Sequence, residues 1–251
     1  MRKSDFDAQR AIDGIVKWIR KWFKANSGPN SKAIIGISGG KDSTIVAKLL
    51  VEALGKDRVV GVMMPNGTQA DIDDSKRVIE LLGIEGRTVN IKKSVEAIIE
   101  AINLENVSAD TLINLPPRVR MTVLYAIAQS VEGGGRVANT CNASEDYVGY
   151  STKYGDAAGD FSPCGNMLVT EMLQIGDALG LPYDLIHKTP SDGLCGQSDE
   201  DKLGFTYKEL DKYITTGNCK TKKLKEKIDR MYRLNLHKQK PIPKYKYRKL
   251  F

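Results

Sequence analysis

The apolar positions of the chain follow a helical period in some segments and form short continuous runs in others. From Ile12 to Phe23 the apolar side chains recur at the spacing of one helical face. Apolar runs at Ala33–Ile37 and in "RVVGVMM" predict strands, and each is followed by helical periodicity. "RTVNI" and "GRVANT" predict two further strands. This alternation predicts a doubly wound α/β fold with a mainly parallel sheet and helices on both faces.

The second half of the chain is less regular. The pattern of "PPRVRMTVLYAIAQSVEG" predicts a long helix with Pro116 and Pro117 in its first turn, where proline is tolerated. Further helices are predicted over Val169–Leu179 and, near the end, over 207–215 and 221–234. No repeat or linker divides the chain. The predicted segments are a single domain at 1–251, a lid loop rich in Gly, Ser and Asp at 188–205, and a C-terminal tail at 237–251.

Composition narrows the class of protein without choosing its chemistry. A net charge of +7 favours an anionic ligand, which includes nucleotides, nucleic acids and free phosphate. No apolar run approaches the roughly 18 residues that a membrane span requires, and the start "MRKSDFDAQR" does not resemble a signal peptide. The four cysteines are far apart, so neither a zinc cage nor a disulfide framework is expected. We therefore expect a cytoplasmic protein with no membrane contact.

The stretch "AIIGISGGKDST" predicts a strand, a tight turn and a helix built around a phosphate group. A Walker loop is excluded, because three residues separate Gly36 from Gly40 and Lys41 is followed by Asp42. The dinucleotide-binding G-x-G-x-x-G pattern is also absent after Gly36. Glycines in the turn permit close approach of an anion, and the amides at the start of the following helix face it.

Asp42 is unexpected beside a polyphosphate, since the two negative charges repel each other. A bound Mg²⁺ removes the conflict, because this ion prefers carboxylate and phosphate oxygens. The structural alternative is that Asp42 only caps the helix. Within this loop we favour the magnesium interpretation.

The residues Ser38-Gly39-Gly40-Lys41-Asp42-Ser43 resemble the PP-loop of the N-type ATP pyrophosphatases. Within that superfamily, "NTCNASEDYVGYSTKYGDAAGDFSPCGN" at Asn139–Asn166 resembles a segment of the NAD synthetases. "SDGLCGQSDEDKLGFTYKELDKYI" and the pair His237-Lys238 are also similar to that family. The resemblance implies a Rossmann-like fold with a five-stranded sheet, and the ammonia-using conversion of deamido-NAD to NAD through an adenylate, with release of AMP and pyrophosphate.

The resemblance also implies a role for each of several residues. The implied contacts with the co-substrate ATP are Gly36, Ile37, Ser38, Gly39, Gly40, Lys41, Asp42, Ser43, Thr140 and Ser191. The implied contacts with deamido-NAD are Arg120, Lys153, Asp160, His237 and Lys238. Asp42 and Glu145 are implied to bind Mg²⁺, and the candidate catalytic residues are Ser38, Asp42 and Asp156. We assign Asp156 the ammonia proton, because a carboxylate near an adenylate could hold ammonium and accept that proton.

Two positions depart from the family pattern. Val169 stands where many relatives carry a lysine that contacts ATP, so a different basic residue such as Lys188 would have to substitute. Ser191 replaces a threonine but retains a hydroxyl. The resemblance further implies a homodimer, for which the stripe at Ile12–Phe23 and the long helix containing Met121 and Tyr125 are candidate contact surfaces.

Two other classes of function remain open from the residues alone. A tRNA-modifying member of the superfamily would suit the basic charge and Cys141 beside the site, but no CxxC, no RNA-binding module and few aromatic residues accompany them. A nucleotide sensor without turnover would bind ATP and release no pyrophosphate. We expect no nucleic-acid partner.

Overall fold

The computed structural model describes residues 6–69, 72–188 and 199–245. Strands and helices alternate through its first half, as the hydrophobic pattern predicts. The strands are β1 (Lys32–Gly36), β2 (Val59–Met63), β3 (Glu85–Thr88) and β4 (Gly135–Val137). The helices are α1 (Ala8–Asn26), α2 (Lys41–Leu54), α3 (Ile72–Leu82), α4 (Lys92–Ile102), α5 (Ala109–Ser130), α6 (Ala143–Val148), α7 (Val169–Ala178), α8 (Tyr183–Ile186), α9 (Asp199–Leu203), α10 (Tyr207–Thr216) and α11 (Lys222–Gln239).

The sheet is parallel throughout and has the strand order β3-β2-β1-β4. Its register pairs Ile34 of β1 with Val60 of β2 on one side and with Val137 of β4 on the other. The expectation of five strands is wrong for the described residues, in which the sheet has four. A parallel bridge between Ala138 and Phe161 lies where a fifth strand would pair. Pro163 follows Phe161 closely and lacks an amide donor, so the pairing does not extend.

The order of the strands sets the place of the site. β1 is followed along the chain by β2 on one side of the sheet, and β4 pairs on the other side of β1. Helices therefore leave the carboxyl ends of β1 and β4 in opposite directions and open a crevice between them, which is where parallel α/β sheets bind ligands.

Apolar side chains fill both faces of the sheet. Ala33 and Ile35 of β1 belong to a core formed with α1, α2 and α7, whereas Ile34 points to the opposite core with α5. The apolar stripe of α1 lies entirely in the first core, with Ile19 and Phe23 almost fully buried. The stripe is therefore occupied within the chain, and our expectation that it forms a subunit contact is wrong.

Two helix boundaries differ from the sequence predictions. α5 begins at Ala109, capped by the Ser108 side chain, which accepts from Thr111 N. Pro116 and Pro117 therefore lie inside the helix and not in its first turn. α11 continues to Gln239, so His237 and Lys238 belong to its last turn and not to a tail. The turns added to α5 include the apolar residues Leu112, Ile113 and Leu115, whereas those added to α11 are mostly polar.

The predicted lid at 188–205 is described only in part. Residues 189–198, which include Ser191, lie outside the described ranges, and 199–203 form the short helix α9. Across the described ranges, none of the helices combines the length and apolar character needed to cross a membrane.

Candidate active site

The loop between β1 and α2 forms the centre of the site. Ser38 Oγ accepts from Gly40 N at 3.2 Å and lies 3.1 Å from Ser43 Oγ, so the two serines hold the turn closed. Gly39 has a φ of +78°, and a Cβ there would lie 2.8 Å from Asp74 Cβ. Only glycine fits such a position. α3 therefore packs behind the loop, and Gly40, Asp42 and Ser43 at the start of α2 line the crevice.

Asp42 is held from two directions. Its Oδ2 accepts from Lys41 Nζ at 2.8 Å, and its Oδ1 accepts from Asn142 Nδ2 at 3.2 Å. Asn142 also caps α6, where its Oδ1 accepts from Ser144 N and Glu145 N. The β1 loop and the segment after β4 are thereby joined by a single amide side chain. The structural alternative for Asp42 does not hold, because the N-cap position of α2 is Gly40 and no side chain caps it.

Glu145 is the second acidic group at this place. Burial and then the nearby Asp42 carboxylate raise its pKa to about 8, against the opposing effects of Lys41 and Asn142. Two carboxylates that repel each other in a half-buried crevice are a suitable pair of ligands for a cation. Mg²⁺ is typically held by one or two carboxylates together with substrate phosphates. These residues therefore fit Mg²⁺, and no larger cluster of His, Cys, Asp or Glu side chains suited to a metal occurs among the described residues.

These groups line a cleft of about 180 Å³ at the carboxyl edge of the sheet. The lining residues are Ser38, Gly40, Asp42, Ser43, Thr140, Cys141, Glu145 and Asp156. Sequence positions more than a hundred residues apart thus share one cavity, as the rule for parallel sheets predicts. From the sequence, Cys141 was considered only in connection with the tRNA-modifying alternative. Burial raises the pKa of its thiol well above the ordinary value, which opposes a nucleophilic role.

Asp156 lines the cleft, and a backbone amide holds its side chain. Its Oδ1 accepts from Thr152 N at 2.8 Å. Burial raises its pKa, while the hydrogen bonds from Thr152 and the charge of Lys238 act in the opposite direction. A carboxylate of this kind is suited to hold a cationic nitrogen and to take a proton from it.

Comparison with known proteins identifies the family of this chain. A sequence profile of the NAD synthase family matches residues 11–249. The chain belongs to the NAD synthase family. It is 42% identical over 215 residues to the NH(3)-dependent NAD(+) synthetase of Pyrococcus horikoshii, covering 85% of this chain and 79% of that protein. It is 38% identical over 257 residues to the corresponding Methanosarcina acetivorans protein, covering 94% and 98%.

Solved structures of family members share the fold. The NMN synthetase of Francisella tularensis superposes with a TM-score of 0.88 at 32% identity, covering 97% of this chain and all of that one. The NH3-dependent NAD synthetase of Campylobacter jejuni superposes with a TM-score of 0.77 at 26% identity, covering 96% and 99%. The α/β fold and the C–N ligase class expected from the sequence are confirmed by these relatives.

The residues that resemble the family's deamido-NAD contacts fall into two groups. Lys153, His237 and Lys238 meet where the end of α11 packs on the loop after α6. Lys238 Nζ donates to the carbonyls of Gly149 at 2.7 Å and Ser151 at 2.8 Å, and Lys153 Nζ donates to His237 O at 3.1 Å. The two lysines therefore hold this part of the structure together through hydrogen bonds, and they also give it a positive charge.

Arg120 and Asp160 form the second group. Arg120 Nε donates to Met64 O at 3.0 Å, which fixes α5 to the end of β2. Asp160 Oδ2 accepts from Val137 N at 2.7 Å, so this carboxylate completes the hydrogen bonding of β4. Burial lowers the pKa of Arg120, and the Asp156 carboxylate opposes that effect. Asp156 thus lies within electrostatic range of both groups.

The structure shows the surroundings of Ile37, an implied ATP contact, and of Val169 and Lys188, the two positions considered in connection with the family lysine. Ile37 is 3% exposed and packs in the core, so only its backbone can face a ligand. Val169 is buried in the same apolar cluster as Tyr207 and brings no charge to the site. Lys188 Nζ donates to Asp74 Oδ2 at 2.6 Å, beside the phosphate loop. Neither Asn142 nor Tyr207 was predicted from the sequence to belong to the site. The N-cap position before "ASED" was a usable signal for Asn142, and nothing local distinguished Tyr207.

Proposed function

We propose that this protein is an ammonia-dependent NAD synthetase, which amidates deamido-NAD with ammonia and converts ATP to AMP and pyrophosphate. One observation carries the proposal. The serine-glycine loop, the acidic residues Asp42 and Glu145, and the buried carboxylate Asp156 line the same cleft. The first two suit a polyphosphate with its cation, and the third suits ammonia.

The first step activates the nicotinate carboxylate. Its oxygen attacks the α-phosphorus of ATP, and the bond to pyrophosphate breaks, leaving an NAD-adenylate. The α2 amides and the hydroxyls of Ser38 and Ser43 hold the leaving phosphates in line. Asp42 and Glu145 would hold Mg²⁺, which supplies charge neutralisation on the pyrophosphate.

The second step forms the amide. Ammonia attacks the activated carbonyl carbon, AMP leaves with the bonding electrons, and Asp156 accepts the proton that nitrogen releases. Arg120 and Lys238, which both lie in electrostatic range of Asp156, would position the dinucleotide. Water must be kept from the adenylate, and the lid loop predicted at 188–205 would serve this purpose.

The decisive experiment supplies ATP, Mg²⁺, deamido-NAD and ammonium together. We expect NAD, AMP and pyrophosphate to form in equal amounts. An Asp42→Asn variant should form all three much more slowly than the wild type. Formation of ADP, or ATP cleavage that is independent of deamido-NAD, would contradict the proposal. Sulfur transfer to tRNA is disfavoured by the buried Cys141 thiol.

A second candidate function differs only in the carboxylic acid that is amidated. Nicotinate mononucleotide carries the same reactive carboxylate as deamido-NAD, and the higher structural similarity to the Francisella NMN synthetase than to the Campylobacter NAD synthetase favours it. The test is a competition assay with both acids at equal concentration. A ratio of kcat/KM above ten in favour of either acid assigns the substrate.

We further propose a cytoplasmic homodimer. Since the α1 stripe is buried, the contact surface is sought among exposed apolar side chains of α4, α5 and their connection. These are Ile98, Ile102, Leu104, Leu112 and Ile113. Sedimentation of the purified protein at micromolar concentration tests the dimer, and an Ile113→Glu variant that sediments as the wild type would reject this surface.

A further inference from the structure

Lys41 is buried at the start of α2, in a place where lysine is rarely found without a partner. Only 7% of the residue is exposed. Its Nζ donates to Asp42 Oδ2 at 2.8 Å and lies 5.7 Å from the centroid of the Tyr207 ring. The family resemblance implies that Lys41 contacts ATP but gives its ammonium group no specific role.

Three carboxylates from three helices surround this ammonium. Asp42 belongs to α2, Glu145 to α6 and Asp199 to α9. Burial opposes the charged form of Lys41, but the charges of Asp42, Glu145 and Asp199 outweigh it and raise its pKa. Asp199 is fixed by Tyr150 Oη, which donates to its Oδ1 at 3.1 Å. Lys41 is therefore a fixed positive charge among acidic groups that would otherwise repel one another.

Within the described ranges, α2 supplies a positive charge at this place and the start of α7 does not. Val169, the first residue of α7, is buried in the same cluster as Tyr207 and is uncharged. Tyr207 Oη is buried and has no hydrogen-bond partner within the described ranges. Its pKa is raised by burial and then by Glu145, Asp199 and Asp42, so the hydroxyl lies near the acidic groups. An unpaired hydroxyl of this kind has room for one more polar partner.

We propose that Lys41 is a built-in counter-cation, which occupies Asp42 in the nucleotide-free enzyme and makes tight binding of the divalent cation depend on ATP. This inference rests on the proposed use of ATP with Mg²⁺. A divalent ion and an ammonium beside the same carboxylate repel each other strongly in a half-buried site. ATP phosphates offer Lys41 a new anionic partner, and Asp42 then becomes available to the ion.

The test measures Mn²⁺ binding directly, by water-proton relaxation that distinguishes ions bound to protein from ions bound to nucleotide. The variants are Lys41→Gln, which removes the charge, and Lys41→Arg, which retains it. Lys48→Gln is the matched control. It lies on the same helix and removes the same charge, but Lys48 pairs with Glu52 at 2.6 Å outside the cleft.

Without nucleotide, we expect Lys41→Gln to bind Mn²⁺ at least tenfold more tightly than the wild type, with Lys41→Arg and Lys48→Gln unchanged. Equal affinity of Lys41→Gln and wild type overturns the proposal, as does equal tightening by Lys48→Gln. A second arm of the experiment uses the wild type alone, so the proposal can be tested even if the variant does not fold. There Mn²⁺ binds at least tenfold more tightly with α,β-methylene ATP than without it, and equal affinities overturn the inference. Neither arm needs turnover, so both are independent of the NAD-forming assay.

Discussion

Asn142 Nδ2 donates to Asp42 Oδ1 at 3.2 Å, although the two residues are 100 positions apart in the chain. The other end of the same amide accepts from Glu145 N at 3.0 Å. Asn142 therefore sets the spacing between Asp42 and Glu145, the two carboxylates proposed to share a cation.

Replacing Asn142 with alanine should reduce both stability and activity. The cap of α6 is lost, which costs about 1–2 kcal/mol, and Asp42 loses one of its two donors. We expect kcat/KM for ATP to fall about 100-fold, since catalytic groups tolerate little displacement. Steady-state kinetics and chemical denaturation of the same preparation measure the two effects.

Ser108→Ala is the matched control for the cap. Ser108 caps α5 through Thr111 N, and it is exposed and remote from the cleft. This variant should lose about 1 kcal/mol of stability with unchanged kinetics. If the two variants lose activity equally, Asn142 acts only through stability.

The stability of the nucleotide-free protein should fall as the pH rises through the neutral range. Burial and then Asp42 raise the pKa of Glu145 from 4.5 to about 8, so the folded state binds a proton that the unfolded state releases. The stabilisation is complete below pH 4.5 and is lost as the pH approaches 8. Between these values the free energy of unfolding declines by up to about 1.4 kcal/mol per pH unit.

Glu145→Gln should remove this part of the slope, because glutamine does not titrate. Urea denaturation at several pH values between 5 and 8 measures it. Glu52→Gln, which alters a carboxylate paired with Lys48 outside the cleft, should retain the wild-type slope. A Glu145→Gln protein with the full slope would show that another group titrates.

Asp156→Asn should separate the two chemical steps. Asparagine keeps an oxygen to accept from Thr152 N, so the loop is retained, but the side chain no longer takes a proton. We expect NAD formation to fall about 100-fold, while pyrophosphate exchange into ATP in the presence of deamido-NAD continues. Near-normal turnover at saturating ammonium across the pH range would reject the role.

Asp146→Asn is the control for general electrostatics at this place. Burial and the Asp156 carboxylate raise the pKa of Asp146 to about 6, but the residue does not line the cleft. Its substitution should change NAD formation less than threefold. A loss as large as that of Asp156→Asn would show that overall charge and not proton transfer is responsible.

Removing the hydroxyl of Tyr207 should affect function without cost to the fold. An unpaired buried hydroxyl is unfavourable, so Tyr207→Phe should leave the free energy of unfolding unchanged or raise it by about 1 kcal/mol. The KM for ATP should rise severalfold, because the hydroxyl is expected to find its partner in the substrate complex. Thermal denaturation and kinetics measure the two effects.

Tyr213→Phe is the matched control on the same helix, because the Tyr213 hydroxyl has a hydrogen-bond partner. Tyr213 Oη donates to Asp229 Oδ1 at 2.5 Å, so its loss should destabilise the protein by about 1 kcal/mol. The KM for ATP should not change. If Tyr207→Phe is the less stable of the two and leaves KM unaltered, its hydroxyl has only a structural role.

The sequence predicted those features that depend on neighbouring residues. β1, the glycine turn and α2 follow from one stretch of "AIIGISGGKDST", and the parallel sheet then brings Thr140 and Glu145 to the same edge. Ser38 and Asp42 were identified for the same reason. Their contacts with the substrates remain predictions.

Features that depend on distant residues were not predicted. Pairing of Asn142 with Asp42 needs the folded sheet, and the burial of Lys41 needs α6, α9 and α10 to assemble around it. The start of α5 was misjudged because Pro116 and Pro117 were assigned to its first turn. The end of α11 was misjudged because Lys238 acts through tertiary hydrogen bonds rather than through apolar periodicity.

The hydrogen bond from Lys238 to Gly149 has a consequence for the order in which the chain folds during synthesis. Its two partners are separated by 89 residues. At about 5–20 residues per second, a ribosome needs roughly 4–18 s to add them. For that interval the loop at 149–151 has emerged without its lysine anchor, so the nascent chain should complete the loop between β1 and α2 well before the proposed dinucleotide pocket.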